Sequence, residues 1–374
     1  MLCSILNTND SKGLPMNATQ HITTLGQSLW LDNLSRDLLR DGTLARLIAE
    51  DGVSGVTSNP SIFQIAFANS PHYADDLAQL KASEPDAERR YEALAIPDIQ
   101  AACDLLLPVH EASGGNDGYV SLEVAPRWAY DAARTVAEAQ RLAGRVDRRN
   151  LMIKVPGTPE GVSAFEALTT LGINVNVTLL FSIAQTQAVF DAYIRGLAAR
   201  AGAGADVRRS KAVASLFLSR VDTLVDARLA AIGTQEALSL RGKAAVAMAK
   251  LAYQAYLQTF HGAPFDQLAR QGATPQYLLW ASTGVKNPDY HDLLYVEPLI
   301  GAETINTLPD KTLAALRDHG LPTVQVAEGV AEAEAELAEL ARLGIDMDAV
   351  GDTLQDAGVK AFEEAYQKLL RQTA

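Results

Sequence analysis

Short apolar runs alternate with long amphipathic stretches along this 374-residue chain. The runs have the length and β-branched content of buried strands, and turn residues bound them. The predicted strands are Ser28–Asp32, Val53–Thr57, Tyr119–Val124, Leu151–Lys154, Ile173–Thr178, Ala212–Phe217, Tyr277–Ser282 and Leu293–Pro298. Helical spacing of apolar residues predicts helices over Asp98–Ala112, Ala129–Ala143, Pro159–Leu171, Ser182–Ala201 and Gly242–Phe260, and over most of the chain from about Ala327 to Arg371.

Strands that alternate with helices predict a parallel sheet covered by helices. Eight strands suit a closed barrel better than an open sheet, which would need a phosphate-binding turn. The one GxG, Gly202–Gly204, is followed by Val207 where the dinucleotide fingerprint needs glycine. We therefore predict an α/β fold, a (β/α)₈ TIM barrel, with additional helices between strands 6 and 7 (Asp222 to Pro275) and at the C-terminus.

The amino-terminal end is predicted to stand apart from this barrel. We expect residues 1–20 to be an extension without fixed structure, and residues 21–374 to form one catalytic domain. The first sixteen residues lack the basic segment and apolar core of a signal peptide, and Met16 offers an alternative start to Met1. No apolar stretch reaches transmembrane length.

The charge and the cysteine content exclude several classes of function. The net charge of −13, from 32 basic and 45 acidic residues, argues against nucleic acid or an anionic membrane as partner. Two cysteines, Cys3 and Cys103, without a CxxC pair exclude a disulfide scaffold and favour the reducing cytoplasm. The histidines show no metal-ligand spacing, and no GxSxG elbow is present. We expect organic chemistry without metal or cofactor.

Lys154 is the most unusual residue of the pattern, because it ends the apolar strand Leu151–Lys154 directly before the Pro156–Gly157 turn. Burying an ammonium without a partner costs several kcal/mol. A lysine amine kept neutral avoids that cost and is a nucleophile that forms Schiff bases with carbonyls. The alternative is a lysine that snorkels to solvent, although the flanking Met152, Ile153 and Val155 argue against a surface position.

Two carboxylates end other predicted strands, where barrels carry their chemistry. Asp32 is either a turn or helix-capping residue, or a proton shuttle facing the barrel mouth. Glu123 alternates with Leu122 and Val124 and therefore points to the opposite side of its strand. An unpaired carboxylate is costly there, so Glu123 needs a partner or a role.

Neutral polar residues follow the same strand ends. The segment Thr57–Ser61 is either an ordinary turn leading into a helix with Pro60 near its first position, or a row of groups that contact a polyhydroxylated substrate. Asn174, Asn176 and Thr178 share one strand face, which packing alone explains poorly. Arg220, in the segment that opens at Ser215, suits a phosphate monoester or a salt bridge with Asp222.

Together these residues resemble the transaldolase family, in its longer bacterial subgroup. The matching segments run in family order from about Gln27 to Ser282: the strand ending in Asp32, Thr57–Ser61, Ser121–Val124, Leu151–Lys154, Ile173–Ser182 and Ser215–Arg220. The resemblance implies a (β/α)₈ barrel with a Schiff-base lysine on the fourth strand. It further implies transfer of a dihydroxyacetone unit, in the non-oxidative pentose phosphate pathway, from sedoheptulose 7-phosphate or fructose 6-phosphate to glyceraldehyde 3-phosphate or erythrose 4-phosphate.

The resemblance also implies a role for each site residue. Lys154 forms the imine, Asp32 acts as acid and base, and Glu123 with Thr178 holds the water that relays protons. Substrate contacts are expected from Thr57, Asn59, Asn176, Ser215, Arg220 and Ser282. Many family members place an arginine two residues after the position of Ser282, where this chain has Gly284, and Lys286 is the candidate replacement.

Two alternatives to a transaldolase stay open at this point. One is a class I aldolase that releases free dihydroxyacetone, and the other is a catalytically silent barrel that acts as a binding protein. The expected partners are small sugar phosphates, with no nucleic acid and no membrane, and the sequence is compatible with a homodimer.

Overall fold

The structure, a computed structural model, describes residues 17–374. Eight parallel strands close into a barrel in chain order, which confirms the predicted TIM barrel. The strands are β1 (Gln27–Leu31), β2 (Val53–Thr57), β3 (Val120–Glu123), β4 (Leu151–Pro156), β5 (Val175–Leu180), β6 (Ala212–Phe217), β7 (Tyr277–Ala281) and β8 (Thr304–Leu308).

Helices surround the barrel, and four of them, α10 to α13, fill the predicted insertion between β6 and β7. The α-helices of the described residues are α1 (Ala18–Thr24), α2 (Arg36–Arg40), α3 (Thr43–Asp51), α4 (Pro60–Asn69), α5 (Ala74–Ser83), α6 (Ala87–Ala112), α7 (Ala132–Val146), α8 (Pro159–Leu171), α9 (Ile183–Gly202), α10 (Ser219–Ile232), α11 (Gln235–Leu238), α12 (Ala244–Phe260), α13 (Asp266–Arg270), α14 (Asp310–His319), α15 (Val330–Arg342) and α16 (Met347–Thr373). The predicted carboxyl-terminal helical stretch is thus two helices, α15 and α16, separated by a short turn at Gly344.

The eighth predicted strand, Leu293–Pro298, is wrong. That segment consists of turns that lead into a 3₁₀ turn over Glu297–Leu299. It lies against the outside of the barrel, where the Leu299 carbonyl accepts hydrogen bonds from Trp280 Nε1 (3.0 Å) and Gln27 Nε2 (2.8 Å). Its apolar residues are therefore buried without pairing as a strand, and the true β8, with Thr304, Asn306 and Thr307, is too polar to stand out in the pattern.

The predicted amino-terminal extension, residues 1–20, includes four residues that pack against the barrel domain. Asn17 caps α1 by accepting a hydrogen bond from the Gln20 amide at 2.8 Å, and the buried Thr19 hydroxyl lies 3.1 Å from Asp51 Oδ1. Residues 17–20 thus belong to the barrel domain. The predictions for residues 1–16, including Cys3 and the alternative start at Met16, lie outside the described residues. Between residues 17 and 374, no helix has both the length and the apolar character needed to cross a membrane.

Helix α16 crosses the carboxyl-terminal mouth of the barrel. The Gln355 side chain donates hydrogen bonds to the carbonyls of Gly157 (2.8 Å) and Leu179 (3.1 Å), at the ends of β4 and β5. Gly358 permits the close approach, since a Cβ there would lie 2.9 Å from the Leu179 side chain. At its far end the Thr373 carbonyl accepts from the buried Arg90 guanidinium on α6. The helix is therefore fixed over the strand ends.

Candidate active site

A cavity of about 200 Å³ opens at the carboxyl ends of the strands, the end that carries the active site in barrels of this fold. Most of the predicted site residues line it: Asp32, Thr57, Asn59, Lys154, Ser215, Arg220, Ser282 and Lys286. The other three, Glu123, Asn176 and Thr178, are not part of the cavity wall. They lie on β3 and β5, the strands that flank β4, and are buried beside Lys154. The structure therefore brings all the predicted residues together.

Lys154 is buried, with 4% of the residue exposed, so it does not snorkel to solvent. Its Nζ donates to the Ser58 carbonyl at 3.3 Å, and the Ser58 hydroxyl donates to the Ser121 carbonyl at 2.7 Å. These bonds tie the loop after β2 to β3 and hold the amine in place. Among residues 17–374, no carboxylate lies within salt-bridge distance of Lys154. The amine is positioned by a carbonyl and faces the cavity.

Asp32 follows β1 directly and accepts a hydrogen bond from the Thr57 hydroxyl at 2.7 Å. Thr57 in turn lies 2.6 Å from the hydroxyl of Thr307 on β8. Helix α2 is capped by Ser35, whose side chain accepts from Leu38, so Asp32 is not needed as a cap. Burial raises the pKa of the Asp32 carboxyl, while Lys154 and the Thr57 hydrogen bond act in the opposite direction.

Glu123 stands opposite Lys154 in the β3–β4 register. Burial raises its pKa to about 7, with Lys154 opposing the shift and Asp32 adding to it. Its Oε2 is buried and has no hydrogen-bond partner among the described residues, and the same holds for the hydroxyl of Thr178 on β5. Leu179, the next residue, has a left-handed φ of 61°, a strained conformation for a leucine. The backbone thus departs from regular strand geometry where Thr178 lies.

Glu123→Gln is expected to remove a pH dependence of stability. Folded Glu123 keeps its proton up to about pH 7, whereas an unfolded glutamate releases it near 4.5. The folded state therefore binds more protons between these values, and wild-type stability falls across that window by about 2–3 kcal/mol as pH rises. Urea unfolding at pH 5 and pH 8 should show this fall in the wild type and in an exposed control, Glu334→Gln, but not in Glu123→Gln. Equal pH dependence in all three proteins would contradict the assignment.

Asn176 joins three strands beneath the cavity. It pairs with Lys154 in the β4–β5 register, its Nδ2 donates to Ser121 Oγ at 3.1 Å, and its Oδ1 accepts from Ser215 Oγ at 2.6 Å. The side chain is fully buried. Asn59, at the mouth, accepts from the Ile62 amide at 3.1 Å and so caps α4, while it also lines the cavity. Both interpretations of Asn59, helix cap and substrate contact, fit its position.

Arg220 lies in the first turn of α10 and makes no salt bridge or hydrogen bond to the described residues. The alternative of a salt bridge to Asp222 is wrong, because the Asp222 carboxylate accepts from the Ala245 amide and the Tyr295 hydroxyl, both at 2.8 Å. The guanidinium carbon lies 5.4 Å from the ring centre of Phe217. Burial lowers the Arg220 pKa, and Asp32 partly offsets the shift. A guanidinium with free donors at a cavity wall suits an anion.

Ser282 and Lys286 line the cavity together with Arg220. Ser282 directly follows β7 and has a left-handed φ of 55°, and its hydroxyl lies 2.9 Å from that of Ser219 at the start of α10. Lys286 is exposed on the following loop, and its charge lowers the pKa of Asp32. The cavity lining thus includes two cationic side chains, Arg220 and Lys286, together with the buried Lys154 amine.

Several cavity residues were missed by the sequence pattern. They are Phe217, Leu279, Ala281, Gly284, Thr307, Pro309 and Phe362, whereas Ser61 belongs to the Thr57–Ser61 segment that was already a candidate for substrate contact. Phe217, Leu279 and Ala281 face inward from strands that were predicted correctly, but apolar residues carry no sign of a site. Thr307 belongs to the strand that was misplaced. Phe362 reaches the cavity from α16, and no local signal in the sequence predicts that contact.

The arrangement supports one type of chemistry in particular. A buried primary amine can add to a carbonyl, and burial raises the pKa values of two carboxylates in the same site, Asp32 and Glu123, which suits them to proton transfer. The cationic side chains Arg220 and Lys286 can hold a phosphate, and hydroxyl and amide groups cover the remaining polar surface. Such a site suits imine chemistry on a phosphorylated sugar.

Comparison with known proteins gives the same result. The family model for Transaldolase/Fructose-6-phosphate aldolase matches residues 29–373. A transaldolase of Thiobacillus denitrificans is 76% identical over 357 residues, which is 96% of this chain and 99% of that protein. One from Neisseria gonorrhoeae is 50% identical, covering 95% and 99% of the two chains, and transaldolase 1 of Streptomyces coelicolor is 47% identical, covering 94% and 93%. The chain belongs to the transaldolase/fructose-6-phosphate aldolase family.

Proposed function

We propose that this transaldolase transfers a dihydroxyacetone unit from a ketose phosphate to an aldose phosphate through a Schiff base on Lys154. The observation that carries the proposal is the buried Lys154 amine in the wall of a cavity that Arg220 and Lys286 also line. Sedoheptulose 7-phosphate and fructose 6-phosphate are the proposed donors. Glyceraldehyde 3-phosphate and erythrose 4-phosphate are the proposed acceptors.

The first half of the proposed reaction forms the imine. The Lys154 amine, in its neutral form, adds to the ketone carbon to give a carbinolamine, whose hydroxyl takes a proton from a general acid and leaves as water, which gives a protonated imine. Proton transfer in these steps needs a group that titrates near neutral pH, and burial supplies one by raising the pKa of Glu123 to about 7. The unpartnered Glu123 Oε2 and Thr178 hydroxyl are the groups proposed to hold the relaying water.

The second half breaks the carbon–carbon bond. Asp32 takes the proton of the C4 hydroxyl, the C3–C4 bond breaks, and the electrons of that bond move toward the protonated imine at C2 to give a neutral enamine, while C4 becomes the aldehyde carbon. An aldose phosphate leaves as the aldehyde product. The steps then run in reverse with the acceptor aldehyde, to which Asp32 returns the proton. A carboxylate held by Thr57 at the cavity wall is well placed for both transfers.

The enamine must stay unprotonated between departure of the first aldose phosphate and arrival of the acceptor. Water that reached it would protonate it and release dihydroxyacetone, so a transferase needs a closed and fully hydrogen-bonded pocket. Asn176 and Ser215 bond to each other beneath the amine, and Phe362 of α16 covers one side of the cavity. We propose that these contacts, with Asn59 at the mouth, favour transfer over release.

The test of the proposed function is acceptor dependence. Incubation with fructose 6-phosphate alone should release glyceraldehyde 3-phosphate only slowly, and erythrose 4-phosphate should raise the rate strongly while sedoheptulose 7-phosphate accumulates. Equally fast cleavage without acceptor would favour the class I aldolase alternative. Absence of cleavage with and without acceptor would favour the catalytically silent barrel.

Arg220→Ala is expected to lower kcat/KM for fructose 6-phosphate by about 10- to 100-fold, because a charge-assisted hydrogen bond to phosphate is worth about 1.5–3 kcal/mol. Lys286→Met should have a smaller effect, since the exposed lysine offers a single, more strongly screened charge. The measurement compares fructose 6-phosphate with unphosphorylated fructose as donor. If Arg220→Ala weakened both donors equally, the phosphate assignment would be wrong.

The cellular setting follows from the proposed substrates. Sugar phosphates of this set belong to the non-oxidative pentose phosphate pathway, and we propose that the enzyme works on them in the cytoplasm. Cys103 is a buried free thiol, as expected in a reducing compartment. Assembly as a homodimer stays a prediction, to be tested by sedimentation equilibrium.

A further inference from the structure

A second cavity lies at the opposite, amino-terminal end of the barrel. Its volume is about 320 Å³, larger than the roughly 200 Å³ of the cavity at Lys154, and the two share no lining residue. The loops before β3, β4, β6 and β7 form it. Its lining residues are His110, Glu111, Gly114, Gly115, Asn116, Tyr119, Arg149, Arg208, Arg209, Ser210, Lys211 and Thr274. We call it the floor cavity.

The floor cavity is basic although the chain is acidic. Arg149, Arg208, Arg209 and Lys211 line it, against the single carboxylate of Glu111, in a protein whose net charge is −13. Concentrating four cations around one concave surface is unfavourable unless carboxylates or a bound anion compensate them. The described carboxylates compensate only part of this charge.

The ion pairs of the three arginines show how much of the positive charge stays uncompensated by described carboxylates. Arg149 pairs with Glu111, and Arg208 makes a two-bond contact with Asp206, at 2.9 and 3.1 Å. Arg209 makes no salt bridge and no side-chain hydrogen bond to any residue between 17 and 374. Its guanidinium is therefore free to bind a ligand from the cavity wall.

Lys211 brings a fourth cation into the base of the cavity. The residue is 3% exposed, and its Nζ lies 3.3 Å from Asn116 Oδ1 and 3.7 Å from the ring centre of Tyr277. Burial lowers its pKa to about 7, while Asp117 and Glu303 act in the opposite direction. A bound anion would add to that second effect and favour the charged amine.

A neutral group at the cavity is also without a partner. The Ser210 hydroxyl is buried and has no hydrogen-bond partner among the described residues, next to Arg209 and Lys211 in the chain. Buried hydroxyls are usually hydrogen-bonded, so an unpaired hydroxyl in a cavity lining indicates that a ligand could serve as its partner. Three consecutive lining residues thus carry an exposed guanidinium and a buried hydroxyl, both without partners among residues 17–374, and a buried amine.

We propose that the floor cavity binds a phosphorylated small molecule, held by Arg209, Lys211 and Ser210. A phosphoryl group matches this donor set because its several oxygens accept from a planar guanidinium, an ammonium and a hydroxyl at once. The remaining volume leaves space for the organic part of the molecule. This site is separate from the catalytic cavity, and the proposal does not depend on the reaction assigned to Lys154.

The test uses pyrophosphate as the probe and isothermal titration calorimetry as the measurement. The background protein carries Arg220→Ala and Lys286→Met, which weakens phosphate binding in the catalytic cavity. In that background, Arg209→Ala should weaken pyrophosphate binding by about tenfold or more, as loss of one charge-assisted contact predicts. The matched control is Arg46→Ala, which changes an exposed arginine on α3 that pairs with no carboxylate in the described part of the chain. This variant should bind pyrophosphate as the background protein does.

Two results would overturn the proposal. One is a background protein that does not bind pyrophosphate. The other is equal affinity of the Arg209→Ala and Arg46→Ala proteins, which would mean that surface charge alone attracts the probe. Ser210→Ala provides a second, uncharged test, since it removes one hydroxyl and no charge, and it should weaken binding measurably without changing the net charge. Thermal unfolding of each variant without ligand checks that the fold is intact.

Discussion

Lys154→Met is expected to abolish transfer, with a fall in kcat of about four orders of magnitude or more, because it removes the buried amine on which the proposed covalent intermediate forms. Methionine keeps most of the volume of the lysine side chain and removes only the amine and its 3.3 Å hydrogen bond to the Ser58 carbonyl. The barrel should therefore stay folded. Borohydride reduction in the presence of fructose 6-phosphate, followed by peptide mass analysis, should place the adduct of the wild type on Lys154 and find none in the variant.

The chain offers a demanding control for this experiment. Lys211 is the other buried lysine among residues 17–374, and burial lowers its pKa to about 7, so it too could react with a carbonyl. Lys211→Met should retain the adduct on Lys154. An adduct on Lys211 in the wild type, or full activity of Lys154→Met, would contradict the proposed mechanism. Loss of the folded state in Lys154→Met, seen by near-ultraviolet circular dichroism, would instead point to a structural role.

Asp32→Asn is expected to lower kcat by about 10²- to 10⁴-fold, the usual range for removal of a general acid–base. Asparagine can still accept the 2.7 Å hydrogen bond from Thr57 but cannot take the hydroxyl proton as the carbon–carbon bond breaks. Imine formation does not use Asp32 in the proposed mechanism. Reduction with borohydride should therefore trap the uncleaved six-carbon adduct in this variant, while single-turnover measurements show slow release of glyceraldehyde 3-phosphate.

A neighbouring carboxylate provides the matched control. Asp310 raises the pKa of Asp32 and accepts a hydrogen bond from Asn33, but it does not line the catalytic cavity. Asp310→Asn should retain most of the activity. If Asp32→Asn lost the trapped adduct as well as cleavage, Asp32 would act in imine formation and its assigned role would be wrong.

Much of the site was predictable because side chains alternate between the two faces of a strand, so a polar residue at a position expected to be apolar stands out in the sequence. Lys154, Glu123 and Asn176 occupy positions where a packed barrel would normally have apolar side chains, and each is buried in the structure. The position of chemistry at the carboxyl ends of barrel strands then predicts that these side chains meet. The β3–β4 and β4–β5 registers place them side by side.

What could not be predicted depends on contacts between distant parts of the chain. The hydrogen bond of Ser215 to Asn176 crosses from one strand to the next, and its 2.6 Å length follows from barrel closure and not from either segment. The misplaced eighth strand shows the limit of hydrophobic patterns, since Leu293–Pro298 is buried for its apolar content without forming a strand. The floor cavity had no signal at all, because Arg209 and Lys211 resemble ordinary loop residues in the sequence.

The position of α16 has a consequence for the newly made protein. A ribosome delivers the chain from its amino terminus, so all eight strands and Lys154 emerge before Met347–Thr373. Until α16 has been made and has packed over the strand ends, Lys154 lacks the Phe362 wall and the Gln355 contacts at the ends of β4 and β5. Packing of α16 is therefore the step that supplies part of the wall that excludes water.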